Sequence, residues 1–534
     1  MGTKAVRLLS RWLAAFCLLP AGIAGVSANE FRTPSMSAVR VEWRAVLNQL
    51  RSEINSQPAI AQRFTFAGQR RVPAWDPRAT PALVQLNAIN SAMFAGIGRS
   101  PVPVLLPFDT AAYLEAEASG TRHAAVSRHQ AGFRPVDLFH AGPSGYDAVF
   151  SLDPGAGDGL PSRTFARPVE VQITGSVLVY DLADPLSGKG EPVKALASQF
   201  PDMRRFIREG YVRYAFTRFG VPYVVSIQCL DSAPRARRLA CREAYPIAER
   251  FLKALRIAGG QPARPRFDVS SEVAERPATP SPDFSYRPSG DIIANSGARR
   301  RGGRADLVAY SQIRFPLENA PARVSSQQFT RRKSGESRGT YQGVYPWRDN
   351  FCEARSFHVG QCAAGFGHQG QDIRPAPCPP NSSAGKACHP RKQAVVAVRD
   401  GVVIRSLKQQ AATLQINTGT EHIRFRYMHM NPSAMDADGI LNGRRVTEGE
   451  KIGVVSNYLD FPNGTSYHLH FDVQVFTRDG WIWVNPYTTL IASYERLIRG
   501  RGHEIGTEPP AAVAHALPKN VRRHVARQAE GRAN

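Results

Sequence analysis

The chain has 534 residues, of which 43% are hydrophobic, and a formal net charge of +24 at pH 7. This length excludes a single ordinary core and predicts roughly three to four folding units, and the hydrophobic content is sufficient to form substantial cores. The positive charge favours polyanionic partners, namely nucleic acid, anionic lipid or an acidic cell-wall polymer, and composition alone does not choose among them.

The first 28 residues have the pattern of a signal peptide. A basic segment with Lys4, Arg7 and Arg11 precedes an apolar stretch over residues 12–25, and the small residues Val26-Ser27-Ala28 follow it. The apolar stretch is well short of the ~20 residues that a membrane-spanning helix needs, so an uncleaved anchor is the weaker alternative. We therefore predict an exported protein that is periplasmic, associated with the cell envelope or secreted.

Cleavage of the signal peptide removes Cys17 and leaves six cysteines in a compartment where disulfides persist. These six form three couples of near neighbours: Cys229 with Cys241, Cys352 with Cys362, and Cys378 with Cys388. Proximity favours pairing within each couple, although other connectivities are possible. A structural zinc cluster at Cys378, Cys388 and His389 is the alternative, but its spacing does not match a zinc knuckle.

Residues 29–258 are predicted to form one mixed α/β domain of unknown function. Helical periodicity covers residues 38–54, and residues 168–182 and 211–229 alternate like strands, with a hairpin turn at Phe219-Gly220. A closing helix is predicted over residues 244–257, ending at Gly259-Gly260. The histidines of this region are isolated, as ordinary surface or core histidines are: His123, His129 and His140.

Two segments have the composition of disordered chain. Residues 259–305 are rich in Pro, Ser, Gly and Arg, and they are predicted to be a basic linker because they cannot bury enough apolar surface to fold. Residues 499–534 are predicted to be a basic disordered tail. Both segments are interpreted either as solvated extensions or as electrostatic tethers to an anionic envelope surface.

Residues 306–498 are predicted to form a compact antiparallel β domain. Residues 394–404 alternate around Asp400-Gly401, which predicts a hairpin, and residues 413–417 and 423–430 are predicted to pair across Thr418-Gly419. Further strands are predicted at residues 451–455 and 468–476, and a helix at residues 488–498. The expected fold class is therefore α+β multidomain, with a mixed α/β N-terminal region followed by an antiparallel β domain.

The predicted strand at residues 468–476 carries the most informative pattern. Successive side chains of a strand alternate between faces, so His468, His470 and Asp472 share one face while Leu469 and Phe471 face a core. The polar face must therefore open to a cleft.

The same alternation of side chains between two faces can be applied to residues 368–372. If residues 368–372 are extended, His368 and Asp372 share a face, and Gly370 leaves room for a metal or a substrate. His429 ends another predicted strand. Catalytic zinc takes three protein ligands and keeps one position for water, so these five groups suffice for one ligand set and two histidines for proton transfer or oxyanion stabilisation.

Three motifs resemble those of the lysostaphin/LytM-type zinc metallopeptidases, which cleave peptidoglycan peptides. They are His368-x-Gly370-x-Asp372, Tyr427-Met428-His429 and His468-Leu469-His470-Phe471. Residues 397–403, residues 446–453 and Val484-Asn485-Pro486 are also similar to this family, and the resemblance covers about a third of the chain, residues 306–498.

The resemblance implies one Zn²⁺ per domain, bound by His368, Asp372 and His470, with His429 and His468 as the catalytic pair. It does not assign separate roles to these two histidines. Two cysteine-bearing insertions, at residues 350–365 and 374–392, depart from the family pattern and should border the metal, where they would set substrate access.

The resemblance therefore implies an exported zinc metalloendopeptidase acting on peptidoglycan cross-links or stem peptides. One alternative is a non-enzymatic activator of other wall hydrolases, although such domains typically lack the zinc ligands. Another is a secreted peptidase acting on foreign walls or proteins, with the N-terminal region as targeting segment or propeptide. Nucleic acid is not expected as a partner, because no aromatic-basic stacking motif or recognition helix accompanies the charge.

Overall fold

The computed structural model describes most of the chain outside its two ends. The described residues are 35–56, 81–118, 131–153, 165, 167–182, 188–208, 210–229, 238–262, 284–292, 312–324, 346–375 without 354, 356, 360 and 363, 393–459 and 461–506. The predicted signal peptide, the couple Cys378 and Cys388, and the tail beyond residue 506 lie outside these ranges.

The described residues form mostly strands and few helices. The helices are α1 (Trp43–Asn55), α2 (Pro81–Asn90), α3 (Thr110–Ala118), α4 (Ala244–Lys253), α5 (Pro432–Ala437) and α6 (Tyr487–Ile498). Within the described ranges, none of these helices has the length and hydropathy that crossing a membrane requires.

The strands fall into an N-terminal and a C-terminal group. The N-terminal strands are β1 (Met36–Ala38), β2 (Val104–Leu106), β3 (Phe133–Gly142), β4 (Gly145–Leu152), β5 (Glu170–Ser176), β6 (Leu178–Tyr180), β7 (Glu191–Pro192), β8 (Arg204–Arg208), β9 (Tyr211–Arg218), β10 (Val221–Gln228) and β11 (Arg256–Gly259). The C-terminal strands are β12 (Phe284–Tyr286), β13 (Ala322–Val324), β14 (Gln371–Pro375), β15 (Ala394–Val396), β16 (Gly401–Ile404), β17 (Ala412–Asn417), β18 (His422–Met428), β19 (Arg445–Val446), β20 (Lys451–Val454), β21 (Leu469–Thr477), β22 (Gly480–Val484) and β23 (Gly502–Glu504).

The N-terminal region is built on a seven-stranded antiparallel sheet in the order β3-β4-β5-β10-β9-β8-β7. Helix α1 buries Trp43, Val46, Leu50 and Ile54, whose spacing of three or four residues places them on one face. The predicted hairpin at Phe219-Gly220 is present, since both residues have positive φ and β9 pairs with β10 directly across them.

The predicted closing helix of this region is too long. Helix α4 ends at Lys253, and the residues that follow form β11, which pairs with β2. Ile257 and Ala258 are buried in that pairing, so a contact with a distant strand overrides the local helical pattern. A disulfide joins Cys229, at the end of β10, to Cys241, just before α4, as the neighbour pairing predicts.

The C-terminal region is built on a second, eight-stranded antiparallel sheet. Its order is β13-β14-β21-β18-β17-β16-β19, and β22 pairs with residues 473–477 of β21, beyond the residues that pair with β14. The predicted pairing across Thr418-Gly419 is present as β17 and β18. One face of β18 and β21 contributes Phe425, Tyr427, Phe471 and Val473 to a core.

The hairpin predicted around Asp400-Gly401 is wrong. Strand β15 pairs with β20, whereas β16 pairs with β17 and β19. The backbone of Val398, between β15 and β16, instead bonds to the Tyr427 hydroxyl and to Arg314. Long-range contacts therefore use the groups that a local hairpin would need.

Parts of the predicted linker and tail are ordered, which corrects both predictions. Strand β12 lies in the linker segment and pairs in parallel with β23, which lies in the tail segment. Phe284 of β12 packs against the rings of Trp347 and Tyr494, with 5.0 Å between centroids in each case. These aromatic residues supply the apolar surface that the surrounding composition lacks.

The two large sheets contact each other through polar and apolar side chains. Asp147 of β4 accepts hydrogen bonds from Thr174 of β5 at 2.6 Å and from Arg424 of β18 at 3.1 Å, and its other oxygen lies 2.9 Å from His422 Nε2. On the apolar side, Phe476 and Trp481 of the C-terminal sheet belong to one buried cluster with residues of β8, β9 and β10. We call the Asp147, Thr174, His422 and Arg424 group the inter-sheet cluster.

Candidate metal centre

All five predicted site residues converge at the junction of β14, β21 and β18. Asp372 and His470 are directly opposed in the antiparallel pairing of β14 with β21, and His470 is opposed to Met428, the residue before His429, in the pairing with β18. His368 precedes β14, and His468 precedes β21. All five side chains are buried, with between 2% and 8% of their surface exposed.

Asp372 lies at the centre of the group. Its Oδ1 atom is 3.3 Å from His368 Nε2, 3.3 Å from His470 Nδ1 and 3.4 Å from His468 Nε2. Burial opposes ionisation, but the adjacent His468 and His368 hold the pKa of Asp372 well below its usual range. The carboxylate is therefore ionised at neutral pH.

Three of these residues can hold a metal ion. His368, Asp372 and His470 each offer one ligand atom, and these atoms lie within 4.8 Å of one another. In the part of the chain that the structure describes, this is the group that satisfies the spacing of a metal site. The residues expected to be ligands are thus the ones that meet.

Hydrogen bonds on the far side of the rings orient the histidines. In each of three rings Nδ1 lies close to a backbone carbonyl: His368 to Asn350 at 3.0 Å, His429 to Tyr458 at 2.7 Å, and His468 to Ser466 at 2.7 Å. A carbonyl oxygen can only accept, so Nδ1 carries the hydrogen and Nε2 of a neutral ring carries a lone pair. His368 and His468 direct that Nε2 towards Asp372.

His470 has the opposite orientation. Its Nε2 lies 3.2 Å from Asp472 Oδ2, and its Nδ1 faces Asp372. Asp472 is fully buried and accepts a 2.7 Å hydrogen bond from Arg426 Nε. Burial opposes its ionisation, but Arg426 keeps the pKa of Asp472 below its usual range. A charged acceptor thus holds Nε2–H and turns Nδ1 towards the centre.

The ring of His470 also resists losing its proton. Burial disfavours the charged ring, but the hydrogen bonds that the ring donates to Asp372 and Asp472 raise the pKa of His470 overall. A metal ion must displace that proton to bind Nδ1, so metal binding releases a proton and weakens as the pH falls.

His429 and His468 face each other beside the three candidate ligand residues, with 4.6 Å between ring centroids. Burial lowers the pKa of His468, and burial together with the nearby His468 and His470 lowers the pKa of His429 well below its usual value. Both rings are therefore neutral at neutral pH and can accept a proton.

A buried network that the sequence did not reveal supports His368. Asp349 accepts hydrogen bonds from Gln371 at 2.6 Å and from Asn485 at 2.6 Å, and Gln371 in turn accepts one from the Asn350 backbone. The carbonyl of Asn350 is the group that orients His368. The Val484-Asn485-Pro486 motif therefore acts on the centre through this network.

The disulfide Cys352–Cys362 borders the centre, as expected for its insertion. The backbone of Cys352 donates a 2.9 Å hydrogen bond to the carbonyl of His368. A Cβ added to Gly367 would lie 2.8 Å from the Cys362 sulfur, so the disulfide packs directly against the residue before His368. Of the second cysteine-bearing insertion, only residues 374 and 375 lie within the described ranges, as the end of β14.

Gly370 has a different role from the one predicted. A Cβ at this position would lie 2.3 Å from the carbonyl oxygen of Phe471 and 2.7 Å from Asp472 Cβ. The space beside Gly370 is therefore occupied by β21 and is not open to a metal or a substrate. The missing side chain allows β14 to approach β21 closely enough to bring Asp372 next to His470.

Two arginines at the centre were also missed. Arg426 fixes Asp472, and Arg374, which follows Asp372 in β14, has its Nη2 3.8 Å from Asp372 Oδ2. Strand parity does not link Arg426 to His429, since residues three apart face opposite sides of a strand, and the partner of Arg426 depends on the strand register. His140 lies in β3 of the other sheet, away from the centre, and His123 and His129 lie outside the described residues.

Comparisons with known proteins give little further information. No family model matches the chain, and no curated protein matches it. Among solved structures it is similar to a Ruminococcus gnavus protein to which the name glycyl-glycine endopeptidase LytM has been assigned, with 18% identity and a TM-score of 0.20. The match covers 36% of this chain and 63% of that one, so the chain spans less than two thirds of its neighbour. At this TM-score the similarity contributes nothing to a functional assignment.

Proposed function

We propose that the protein is an exported zinc metalloendopeptidase that hydrolyses peptide bonds in peptidoglycan cross-links or stem peptides. The observation that carries the proposal is the orientation of His368, His468 and His470. Each ring is held on its far side by an acceptor, so that its other nitrogen faces Asp372. The motif resemblance and the charge of +24 support an envelope polymer as the substrate.

The donor set fits zinc. His368 Nε2, Asp372 Oδ1 and His470 Nδ1 provide two nitrogens and one oxygen, which is the three-ligand composition of catalytic zinc sites with one position left for water. The far nitrogens of both ligand histidines are bonded to acceptors, as zinc ligands require. When bound, zinc supplies Lewis acidity and lowers the pKa of a coordinated water towards ~7.

The two remaining histidines handle the proton. His468 Nε2 is 3.4 Å from Asp372 Oδ1, so a carboxylate is at hand to stabilise this ring once it has accepted a proton from the attacking water. No carboxylate bonds to His429 among the described contacts, and its pKa is held well below the usual value. We assign His468 as the general base and His429 as the neutral ring that orients the water.

A test uses the purified chain without its first 28 residues. Metal analysis should give about one zinc per chain, and cross-linked muropeptides should be converted to monomers. His368→Ala should lose both properties, because it removes a ligand. The matched control is His503→Ala, which removes an exposed histidine of β23 and should retain both.

Two results would overturn the proposal. A zinc-loaded wild-type chain that leaves every wall preparation intact, yet stimulates a separate wall hydrolase, would make it a non-enzymatic activator. A wild-type chain that cleaves casein-like proteins but no muropeptide would support the peptidase activity and refute peptidoglycan as its substrate.

A further inference from the structure

A cavity of about 400 Å³ lies between the two large sheets. The N-terminal sheet lines it with Glu170 and Gln172 of β5 and Gln228 of β10, and the C-terminal sheet lines it with Arg426 and Met428 of β18. This volume lies within the range of small-ligand sites, which occur preferentially where two folded units meet. The metal centre accounts for none of these N-terminal residues.

The cavity adjoins the metal centre through β18. Its wall residues Arg426 and Met428 are opposed to Asp472 and His470 in the pairing of β18 with β21. Gln410, also in the wall, accepts a hydrogen bond from the backbone of His429. A molecule in the cavity is therefore one strand away from the proposed reaction centre.

The charged residues of the cavity wall are mostly basic. Five basic residues and one acidic residue line the cavity: Arg167, Arg238, Arg405, Lys408 and Arg426, with Glu170. Asp436 neutralises Arg405 at 2.6 Å, and Asp472 neutralises Arg426 at 2.7 Å. Burial raises the pKa of Glu170, which bonds to the Ser406 hydroxyl across the cavity. Of the five cations, Lys408 is exposed and can meet a ligand from solvent.

The uncharged part of the wall suits a peptide. Side-chain amides of Gln172, Gln228 and Gln409 can pair with backbone amide groups, and Val169, Leu239 and Ile404 provide apolar surface. Guanidinium and ammonium groups bind carboxylates through charge-assisted hydrogen bonds. Together these groups are complementary to a short peptide that carries free carboxylates.

We infer that this cavity is a substrate subsite that binds a carboxylate-bearing peptide segment flanking the bond hydrolysed at the metal centre. The inference rests on the proposed function and deepens it, because it gives the N-terminal region a role in substrate recognition. About half of the lining residues, 11 of 21, come from the N-terminal region, and they include residues of β5, β9 and β10.

The test separates binding from cleavage. Calorimetry on the metal-free chain compares a short acidic peptide that has free carboxylates with the same peptide amidated at every carboxylate. The acidic form should bind about tenfold more tightly, as expected for the loss of one or more charge-assisted contacts. In the zinc-loaded enzyme the same amidation should raise KM and leave kcat nearly unchanged.

Variants at Lys408 locate the effect. Lys408 has a φ of +62°, which asparagine tolerates well, so Lys408→Asn should fold and should abolish most of the preference for the acidic peptide. Lys408→Arg keeps the charge and should keep the preference. Lys194→Asn removes an exposed lysine of the N-terminal region that is not part of the cavity, and it should change nothing. Arg238→Gln gives a second variant in the cavity wall with the same expected loss.

The outcomes distinguish the two proposals. Equal dissociation constants for the acidic and amidated peptides, or a preference that survives both Lys408→Asn and Arg238→Gln, refutes the subsite even if muropeptides are cleaved. A preference that these variants remove, in a chain that cleaves no wall material, supports the subsite as a binding site and refutes the proposed hydrolase.

Discussion

Two buried aspartates, Asp372 and Asp147, each lie next to histidine, but the hydrogen-bonding groups around them differ. Around Asp147, Thr174 and Arg424 donate hydrogen bonds, and His422 lies within hydrogen-bond distance. Around Asp372, the nearest nitrogens belong to rings whose far nitrogens are already bonded to acceptors.

This difference separates a structural cluster from a candidate binding site. The inter-sheet cluster is neutralised by the protein's own Arg424, which is characteristic of a buried ion pair that holds two layers together. In the candidate metal centre, His368 and His468 turn an accepting Nε2 towards the accepting carboxylate of Asp372, an arrangement that a cation stabilises. Composition alone would not distinguish them, because both contain a buried aspartate and histidine.

The largest expected effect is on catalysis. His468→Ala and His429→Ala should each lower kcat by about 10²- to 10⁴-fold while zinc content stays near one per chain, because neither residue is a proposed ligand. His422→Gln, in the inter-sheet cluster, should leave kcat within a fewfold of wild type. Muropeptide cleavage and metal analysis test all three. Zinc loss in His468→Ala, or an inactive but folded His422→Gln, would break the comparison.

The next effect is on stability. Asp147→Asn should lower the free energy of unfolding by about 3–5 kcal/mol, because it leaves the buried Arg424 without its counter-charge. Asp181→Asn, at an exposed position, should change it by less than about 0.5 kcal/mol. Urea unfolding measures both. Equal effects in the two variants would show that the inter-sheet cluster does not stabilise the fold.

A smaller effect is expected on the free energy of unfolding at acid pH. Burial opposes the ionisation of Asp147, but His422 and Arg424 lower its pKa to about 2. Because this is below the unfolded value, the stabilisation is complete above pH ~4 and is lost as the pH falls towards 2, a total of about 2 kcal/mol. The difference in unfolding free energy between wild type and Asp147→Asn should therefore shrink between pH 4.5 and pH 2.5. A difference that is constant over this range would contradict the assignment.

The smallest expected effect concerns zinc affinity. Asp472→Asn keeps the shape of the side chain but removes the charged acceptor of His470 Nε2, so affinity should fall by about tenfold. Titration against a competing chelator measures the change, and Asp147→Asn serves as the control with unchanged affinity. An unaltered affinity in Asp472→Asn would mean that Arg426 and Asp472 do not position His470.

The five residues of the site were predictable because their placement depends on local geometry. In a strand, residues two apart share a face, which is sufficient to group His468 with His470 and, with residue 370 between them, His368 with Asp372. Separating ligands from proton-handling residues required the resemblance. Ring orientation does not make that separation, since His368 and His468 both present Nε2 to Asp372. The mutual spacing of the candidate ligand atoms in His368, Asp372 and His470 is the structural feature that agrees with it.

The features of the fold that the sequence did not predict depend on contacts between distant parts of the chain. Arg424 and Asp147 are 277 residues apart, and no local pattern relates them. The hairpin at Asp400-Gly401 failed for the same reason, because β15 and β16 pair with strands farther along the chain. Strands β12 and β23 were missed because a few aromatic residues outweigh the polar composition around them.

The apolar contacts between the sheets determine how the protein can be divided. Phe476 and Trp481 pack on the N-terminal strands, and Val402 and Ile404 pack against Leu138 and Val149. A polypeptide cut near residue 259 would expose these four side chains to water as two apolar patches. The C-terminal half is therefore not a transferable module. Shuffling it onto another partner would require that partner to supply a matching sheet face.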